Sequence, residues 1–574
     1  MLPDSIYVRL CSLDFFTEAS RPGRAVAQWK AAALLAFLTL AAYAPILRNG
    51  FIWDDDSHIT ASALNVEPGG FARIWTTADA MQYYPLTFSA FRLEHLLWGF
   101  EPLGYHLLSL ALHLASALLL AALLRRLRVP GAWWAAALFA LHPTQVESVA
   151  WATELKNMMC MLFALLATER WVAYGESRSR RDYLLSLAAY AACLLSKTAA
   201  VLLPAVFLVL DWARGRRLGL RDAARLAPFF GLGGAMSVVT VLYERYRNGS
   251  DPEFVLHGLQ RPVLAGQALW FYAWKLAAPF RLSFIYPRWT VDPSNPIQWL
   301  PLAAAAALAI FLWRARGRLG RAPAAAAAVY FLFLFPVLSF FDVFFMRFSY
   351  VADHFQYFAG VGLLALVPAA VERALKSPAA RRAALSFLVL GSGTLTFARV
   401  PAFRDSEALW RDTLAHNPGA WMAWDNLAVE EMAHGRWAEA ADDAGRAVAL
   451  LPPYGLGWFH LGIAQWNQGD HARAAGSFAR SLQIAPRYLA SNKPRAAMAQ
   501  SYLGIREAEL GRASAAVERF QRATELAPDQ AFCWFNLARA LSGLGRRAEA
   551  ADSCRRGLAL APDSPAGDVC RAKK

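Results

Sequence analysis

Three adjacent aspartates, Asp54, Asp55 and Asp56, followed by His58, form the densest group of proton-handling side chains in the sequence. Neighbouring carboxylates repel, so at least one should hold its proton more tightly than a free aspartate unless cations or a metal balance the group. A solvated charge run, or a helix N-cap from one aspartate, is the plainer reading of the same residues. A second group runs His142, Glu147, Ser148, Trp151, Glu154, Lys156 and Asn157. It brings acid, imidazole and cation to the junction of two apolar runs, where a lysine can also simply snorkel toward water. Ser196-Lys197 is a third element. The fourth combines Tyr272, Lys275, Tyr286, Arg288 and Trp289 with Arg347, Asp353, His354 and Tyr357. Aromatic rings beside cations suit a sugar-phosphate: rings stack on apolar sugar faces while Arg or Lys neutralises the phosphate. An interfacial aromatic belt has the same composition without that chemistry. The sequence holds no phosphate-cradling Walker loop, GxSxG elbow, HExxH helix or Cys/His metal cluster, so no metal ligands are expected.

The elements that must position these residues are apolar. Of 574 residues, 57% are hydrophobic and only 18% charged, against about 25% charged in a soluble domain. The net charge of +15 does not point to nucleic acid, because Arg clusters at 125–128, 178–181, 214–217, 314–321 and 381–382 sit between apolar runs. That is the positive-inside pattern of a multi-span membrane protein. The first candidate span, 28–47, reads as an uncleaved anchor. Further runs centre near Leu114, Leu138, Leu165, Ala189, Val206, Ser237, Ala306, Phe333, Leu364 and Leu390, about eleven spans in all. The stretch 265–284 carries Lys275 and Arg281, and a mid-membrane charge costs roughly 2.5–3.5 kcal/mol, so it is expected to be re-entrant or interfacial. The resulting layout has a cytoplasmic segment at 1–26 and a membrane domain at 27–400. Outer loops then fall at 48–103, 244–297 and 342–354, and all four chemical groups lie on one outer face.

From residue 401 the pattern becomes that of a soluble helical repeat. Trp424, Leu427, Gly435, Ala440, Ala447 and Pro452 recur as Trp458, Leu461, Gly469, Ala474, Ser481 and Pro486. The pattern resumes at Leu503, Gly504, Gly511, Ala516, Phe520, Ala523 and Pro528, then returns as Trp534, Leu537, Gly545, Ala550, Gly557 and Pro562. Small residues let paired helices approach, and each Pro ends a unit. The spacing is that of tetratricopeptide repeats: a half-repeat at 405–418 and repeats at 421–454, 455–488, 497–530 and 531–564. The fold class expected is therefore all-α, a polytopic helical bundle followed by an α-solenoid. Among the cysteines, Cys160 and Cys193 fall in apolar runs. A disulfide among Cys533, Cys554 and Cys570 is open if that end is extracytoplasmic, with its pairing unassigned.

The ordered segments Asn49–Ile59, Tyr83–Thr87, Gly104–His113, Ala137–Asn157, Leu194–Lys197, Leu269–Leu276, Phe284–Trp289 and Phe345–Tyr357, together with C-terminal repeats, resemble one family. It is that of the transmembrane and tetratricopeptide-repeat protein O-mannosyltransferases, in a bacterial version. The resemblance implies a GT-C glycosyltransferase fold, a polyprenyl-phosphate sugar donor and inversion at the anomeric carbon. It also implies an active site on the periplasmic side of a bacterial inner membrane, with the repeats on that side and the N-terminus in the cytoplasm. Leu155 and Gln267 stand where the resemblance leads one to expect basic residues, which bears on the donor.

On that reading a mannose-like sugar passes to a Ser or Thr hydroxyl of a protein held by the repeats. An alcohol needs a carboxylate to take its proton, and Asp55 is the expected base, with Asp54 or Asp56 orienting the acceptor or a cation. The leaving phosphate needs charge neutralisation, for which Lys156, Lys197 and Arg288 are candidates, backed by Lys275 and Arg347. Glu147 and Glu154 would hold sugar hydroxyls or fix the lysines. His142, Tyr286, Asp353 and His354 complete the expected donor-binding set. No cofactor is called for beyond the lipid-phosphate sugar as substrate, although a divalent cation would fit the aspartates. Rival readings are a non-enzymatic membrane-anchored scaffold, a transporter, and a GT-C enzyme acting on a lipid or glycan.

Overall fold

The structure, a computed structural model, describes residues 22–248, 256–341, 343–484 and 492–571. Most of the expected cytoplasmic segment 1–26, part of the 244–297 loop, Asp342 and Pro486 lie outside the described residues. The chain divides into two compact units, Met1–Leu409 and Trp410–Lys574, so the boundary falls a little beyond the composition change at residue 400. Among the described residues every regular element is helical.

Among the described residues of the first unit, four helices are long and apolar enough to cross a bilayer: Pro102–Arg126, Leu220–Arg245, Pro296–Arg314 and Pro378–Phe403. A fifth crossing is obtained by joining Pro143–Ala150 to Ala152–Ser177 across a 97° bend. This is fewer than the apolar runs of the sequence, for an identifiable reason. Several runs are cut into short helices where a proline removes a backbone donor and clashes with the preceding turn. The run near Leu138 ends as the ten-residue helix Ala132–Leu141, just before Pro143. The run near Val206 is the eleven-residue helix Leu203–Ala213 with a proline in its first turn, and the run near Leu364 splits into Gly360–Leu364 and Val367–Ala374. The charged stretch expected to be interfacial forms α1 (Gln260–Ala277), with Trp270 and Trp274 exposed along one side.

The second unit is built from helix pairs. They are Trp421–Ala433 with Trp437–Leu450, Gly455–Asn467 with His471–Ile484, Lys493–Glu509 with Ala513–Leu526, and Ala531–Gly543 with Arg547–Leu560. Each pair turns at a glycine of positive φ, Gly435 (73°), Gly469 (87°), Gly511 (75°) and Gly545 (73°), a region costly for residues with a Cβ. Gly462 and Gly504 serve close approach instead: a Cβ on either would come within 2.7 Å of the Phe478 or Phe520 ring. The recurrent Trp and Pro have a shared purpose. The indole N–H of Trp424, Trp458 and Trp534 donates to the carbonyls of Pro418, Pro452 and Pro528 at 2.8–2.9 Å, tying each unit to the end of the one before.

Cys554 and Cys570 form a disulfide that pins the final short helix, Asp568–Arg571, to the last repeat, while Cys533 stays buried and free. Closing a loop of this size contributes about 3 kcal/mol in the chain-entropy picture. Cys554→Ser should therefore speed hydrogen exchange in Arg547–Arg571 of the intact chain and leave the first three repeats unchanged.

Candidate functional site

The acidic loop begins at Asn49 and ends in the π-helical turn Asp56–Thr60. Two features give it its shape. Trp53 has φ = +44°, a left-handed conformation that costs a bulky residue roughly 1–3 kcal/mol and persists only where neighbours enforce it. Its ring packs against Trp151, Phe284, Phe345 and Phe348, with centroids 5.4–6.3 Å away. The second feature is the 97° bend after Ala150. A helix start leaves backbone N–H groups without helical partners, and here the Thr153 N–H donates to Asp55 Oδ1 at 2.7 Å. The Thr153 hydroxyl donates to the same oxygen at 2.5 Å, and the Ile52 N–H donates to Oδ2 at 2.9 Å.

The three aspartates therefore have three different environments. Asp55 is fully buried and its carboxylate is consumed by internal donors. Burial lifts it to about 7, with the Thr153 and Ile52 donors pulling the other way. Asp56 is exposed and accepts only the neighbouring Ser57 N–H at 2.6 Å. Asp54 is partly exposed, but its Oδ1 is buried and has no hydrogen-bond partner among the described residues. His58 Nδ1 lies 3.6 Å from Asp54 Oδ2 and donates to the Asp54 carbonyl at 2.9 Å. Burial raises the Asp54 carboxyl above the ordinary range, and the nearby charges of His58 and Lys156 oppose that rise. His58 is pushed down chiefly by burial.

Beside this loop, Glu154 is 1% exposed and holds both Lys156 and Lys197 at 3.0 Å. Two ammonium groups share one carboxylate, so the trio carries a net positive charge in a confined place. Lys156 also lies over the Trp151 ring at 5.5 Å. Lys197 sits in extended backbone after the helix Arg180–Ser196, where Thr87 donates to the Ser196 carbonyl at 2.9 Å and fixes the turn. Thr153 and Thr87 have no signal of their own in the sequence: a threonine near a helix break is common, and only the distant partner reveals its use.

A second buried cluster adjoins the first. His354 Nδ1 is hydrogen-bonded to Glu147, its carbonyl accepts from Asn157 at 3.2 Å, and its ring is 5.8 Å from Trp151. Burial pushes His354 down to about 3, keeping the imidazole neutral. Tyr286 donates to Asp353 at 3.1 Å. Burial raises Asp353, with the positive charge of Arg399 as the largest opposing influence. Arg399 closes the last apolar run, and the sequence reading passed over it.

The remaining candidates are engaged by the fold, although Lys275 also lies over the Tyr286 ring at 5.1 Å, next to the second cluster. His142 is used internally, with Nε2 donating to the Leu276 carbonyl at 3.0 Å and Nδ1 hydrogen-bonded to Thr144 at 2.8 Å. Lys275 donates to the carbonyls of Phe280 and Arg281 at 2.8 and 3.0 Å, holding the turn after α1. Arg288 donates to the Tyr350 hydroxyl at 2.8 Å and lies over that ring, and Arg347 lies over Phe344 and Phe348. Leu155, where a cation had been expected, packs in a core with Ile59, Phe88 and Phe91. Gln267 reaches Gln298 at 3.5 Å. Among the described residues no three His, Cys, Asp or Glu side chains are grouped to hold a metal ion.

Family models described as tetratricopeptide repeat match residues 456–529, and 402–454 with 502–565. The chain is 32% identical over 139 residues to Protein O-mannosyl-transferase Tmtc3 of Drosophila melanogaster, covering 20% of this chain and 15% of that protein. It is 29% identical over 254 residues to Protein O-mannosyl-transferase Tmtc2 of the same organism, covering 41% of this chain and 26% of that protein. The matched part thus spans about a quarter or less of the length of these relatives. The crystal structure of YrrB, a tetratricopeptide-repeat protein with an unusual peptide-binding site, is similar at 16% identity and a TM-score of 0.25, covering 36% of this chain and 98% of that one. Over part of its length the chain is similar to proteins named O-mannosyl-transferases, and it carries tetratricopeptide repeats toward its C-terminus.

Proposed function

We propose that the protein is a membrane glycosyltransferase that moves a mannose-like sugar from a polyprenyl-phosphate donor to Ser or Thr hydroxyls of a protein acceptor. The observation that carries this reading is the carboxylate of Asp54, whose buried Oδ1 has no hydrogen-bond partner among the described residues, within electrostatic reach of Lys156 and Glu154 of the Lys156–Glu154–Lys197 trio. Asp54 accepts the hydroxyl proton as the glycosidic bond forms, in place of Asp55, whose oxygens are both occupied. The lysines neutralise the departing phosphate, and Glu154 holds each of them at 3.0 Å. One base and one stabilised leaving group suffice for a single displacement with inversion. Glu147 and His354, hydrogen-bonded to each other, meet sugar hydroxyls in this scheme. In this scheme Lys275 and His142 shape the loop around the site.

The repeats bind the acceptor protein, as a concave helical array suits extended peptide. The C-terminal disulfide supports a periplasmic position for them, since such bonds persist in oxidising compartments. The bilayer is the remaining partner, and the donor's tail enters from it.

The test is transfer from radiolabelled polyprenyl-phosphate mannose by the full-length protein in bilayer discs, with Ser/Thr-containing protein, lipid and glycan acceptors in parallel. Label in the protein fraction, with inverted anomeric configuration, is the expected result. Label only in lipid or glycan would replace the acceptor class. No transfer to any acceptor, with the protein folded and bound to its partners, would favour the scaffold.

A further inference from the structure

The chain returns to the acidic loop just before the repeats begin. The Gly50 N–H donates to the Arg404 carbonyl at 2.7 Å, and the Trp53 N–H donates to the Ser406 hydroxyl at 3.2 Å. Both contacts join residues separated by more than 350 positions, and Ser406 opens the helix Ser406–His416. A serine at a helix start ordinarily spends its hydroxyl on the helix's own free N–H groups. Here Asp405 does that work, its Oδ1 accepting the Ala408 N–H at 2.7 Å, so the Ser406 hydroxyl is available to the loop. The residue it holds is Trp53, the one with the left-handed backbone, immediately before Asp54. The segment from which it reaches is anchored by Val400 and Phe403, both almost fully buried, and lies within the stretch matched by the repeat model at 402–454.

We infer that Ser406 is a positioning residue for Asp54: its hydroxyl holds the Trp53 backbone in the turn that aims the acid, linking the proton acceptor to the first turn of the repeat-bearing segment. This rests on the transfer reading given above and extends it from the reacting groups to what sets them. Without the hydroxyl, the Trp53 N–H loses an acceptor and the left-handed turn loses one of its restraints, so Asp54 samples orientations that do not meet the hydroxyl to be deprotonated. Ser406→Thr keeps the hydroxyl at the same backbone position.

The experiment compares Ser406→Ala and Ser406→Thr in the full-length protein in bilayer discs, reading hydrogen exchange of the Ile52–Asp55 amides and, separately, transfer kinetics. Ser406→Ala should speed exchange at Trp53 and lower kcat by roughly ten- to a hundredfold with KM for the donor unchanged, the size expected for misplaced reacting groups. Ser406→Thr should restore both. Unchanged exchange at Trp53 in Ser406→Ala would overturn the inference whatever the activity. So would loosening spread evenly over the whole membrane unit, or a change confined to donor KM. If exchange responds as expected while even the unsubstituted protein transfers no sugar, the positioning contact stands and the proposed reaction falls, so the two failures are distinguishable.

Discussion

Asp54→Asn should lower sugar transfer by roughly 10²–10⁴-fold, the range associated with loss of a positioned general base, and leave the unfolding midpoint unchanged. Asparagine keeps the size of the side chain but cannot accept the hydroxyl proton. The free Oδ1 of Asp54 makes no internal hydrogen bond among the described residues, so little stability is forfeited. Asp55→Asn should behave differently. Its carboxylate accepts from three donors, two from Thr153 on one oxygen and the Ile52 N–H on the other. An amide has only one acceptor oxygen, so its NH₂ must face either the Ile52 N–H or the Thr153 pair. Leaving a buried donor unpaired costs about 1–3 kcal/mol. The Asp55 variant should therefore lose activity and loop protection together, whereas the Asp54 variant loses activity alone. Measuring thermal unfolding and transfer side by side checks this, and the opposite pattern would return the base to Asp55.

The pH dependence carries the same assignment. Burial raises the Asp54 carboxyl, and a base must be deprotonated to work. Activity should thus rise with pH through a value above that of an ordinary carboxylate, and in the residual rate of Asp54→Asn the Asp54 part of this limb should be lost, leaving that of Asp55 at about 7. His354, held near 3 by burial, is neutral throughout that window and contributes no limb of its own.

Glu154→Gln is the second large effect. Glu154 lies between two ammonium groups at 3.0 Å, with Lys156 and Lys197 themselves mostly buried. Removing the carboxylate leaves two like charges without their shared partner, and breaking a buried ion pair in this way typically costs 3–5 kcal/mol. Thermal unfolding should shift down sharply and transfer should cease. The site also predicts its own remedy. An anion bound between the lysines replaces the missing charge and stabilises by mass action. Inorganic phosphate or pyrophosphate should therefore raise the unfolding temperature of Glu154→Gln more than that of the unsubstituted protein. Equal shifts in both, or none in either, would remove the lysine pair from the anion site.

Periodicity made the repeats readable without coordinates. Trp, Gly, Ala and Pro recur at fixed spacing because each unit meets the same demands, an indole tied to a preceding carbonyl, a left-handed glycine between helices and small residues where rings approach. Such demands are local, spanning six to a few tens of residues, so they leave a mark in the order of amino acids. Membrane character was equally legible from composition and the placing of arginines, and the chemical segments stood out by residue type.

Other features depend on partners far apart in the chain, and for these the linear order is silent. Among the described residues, long apolar helices are fewer than the apolar runs, because prolines and the bend after Ala150 break stretches that composition alone joins. That Asp55 is occupied was decided by Thr153, some hundred positions away, whose hydroxyl and N–H both donate to it. His142 is likewise spent on a distant partner, the Leu276 carbonyl. Carboxylates, lysines and histidines look alike in sequence whether their atoms are spent on the fold or open to a ligand. Three-dimensional neighbours alone set that difference, because desolvation and hydrogen-bond occupancy are properties of the folded surroundings and not of residue type.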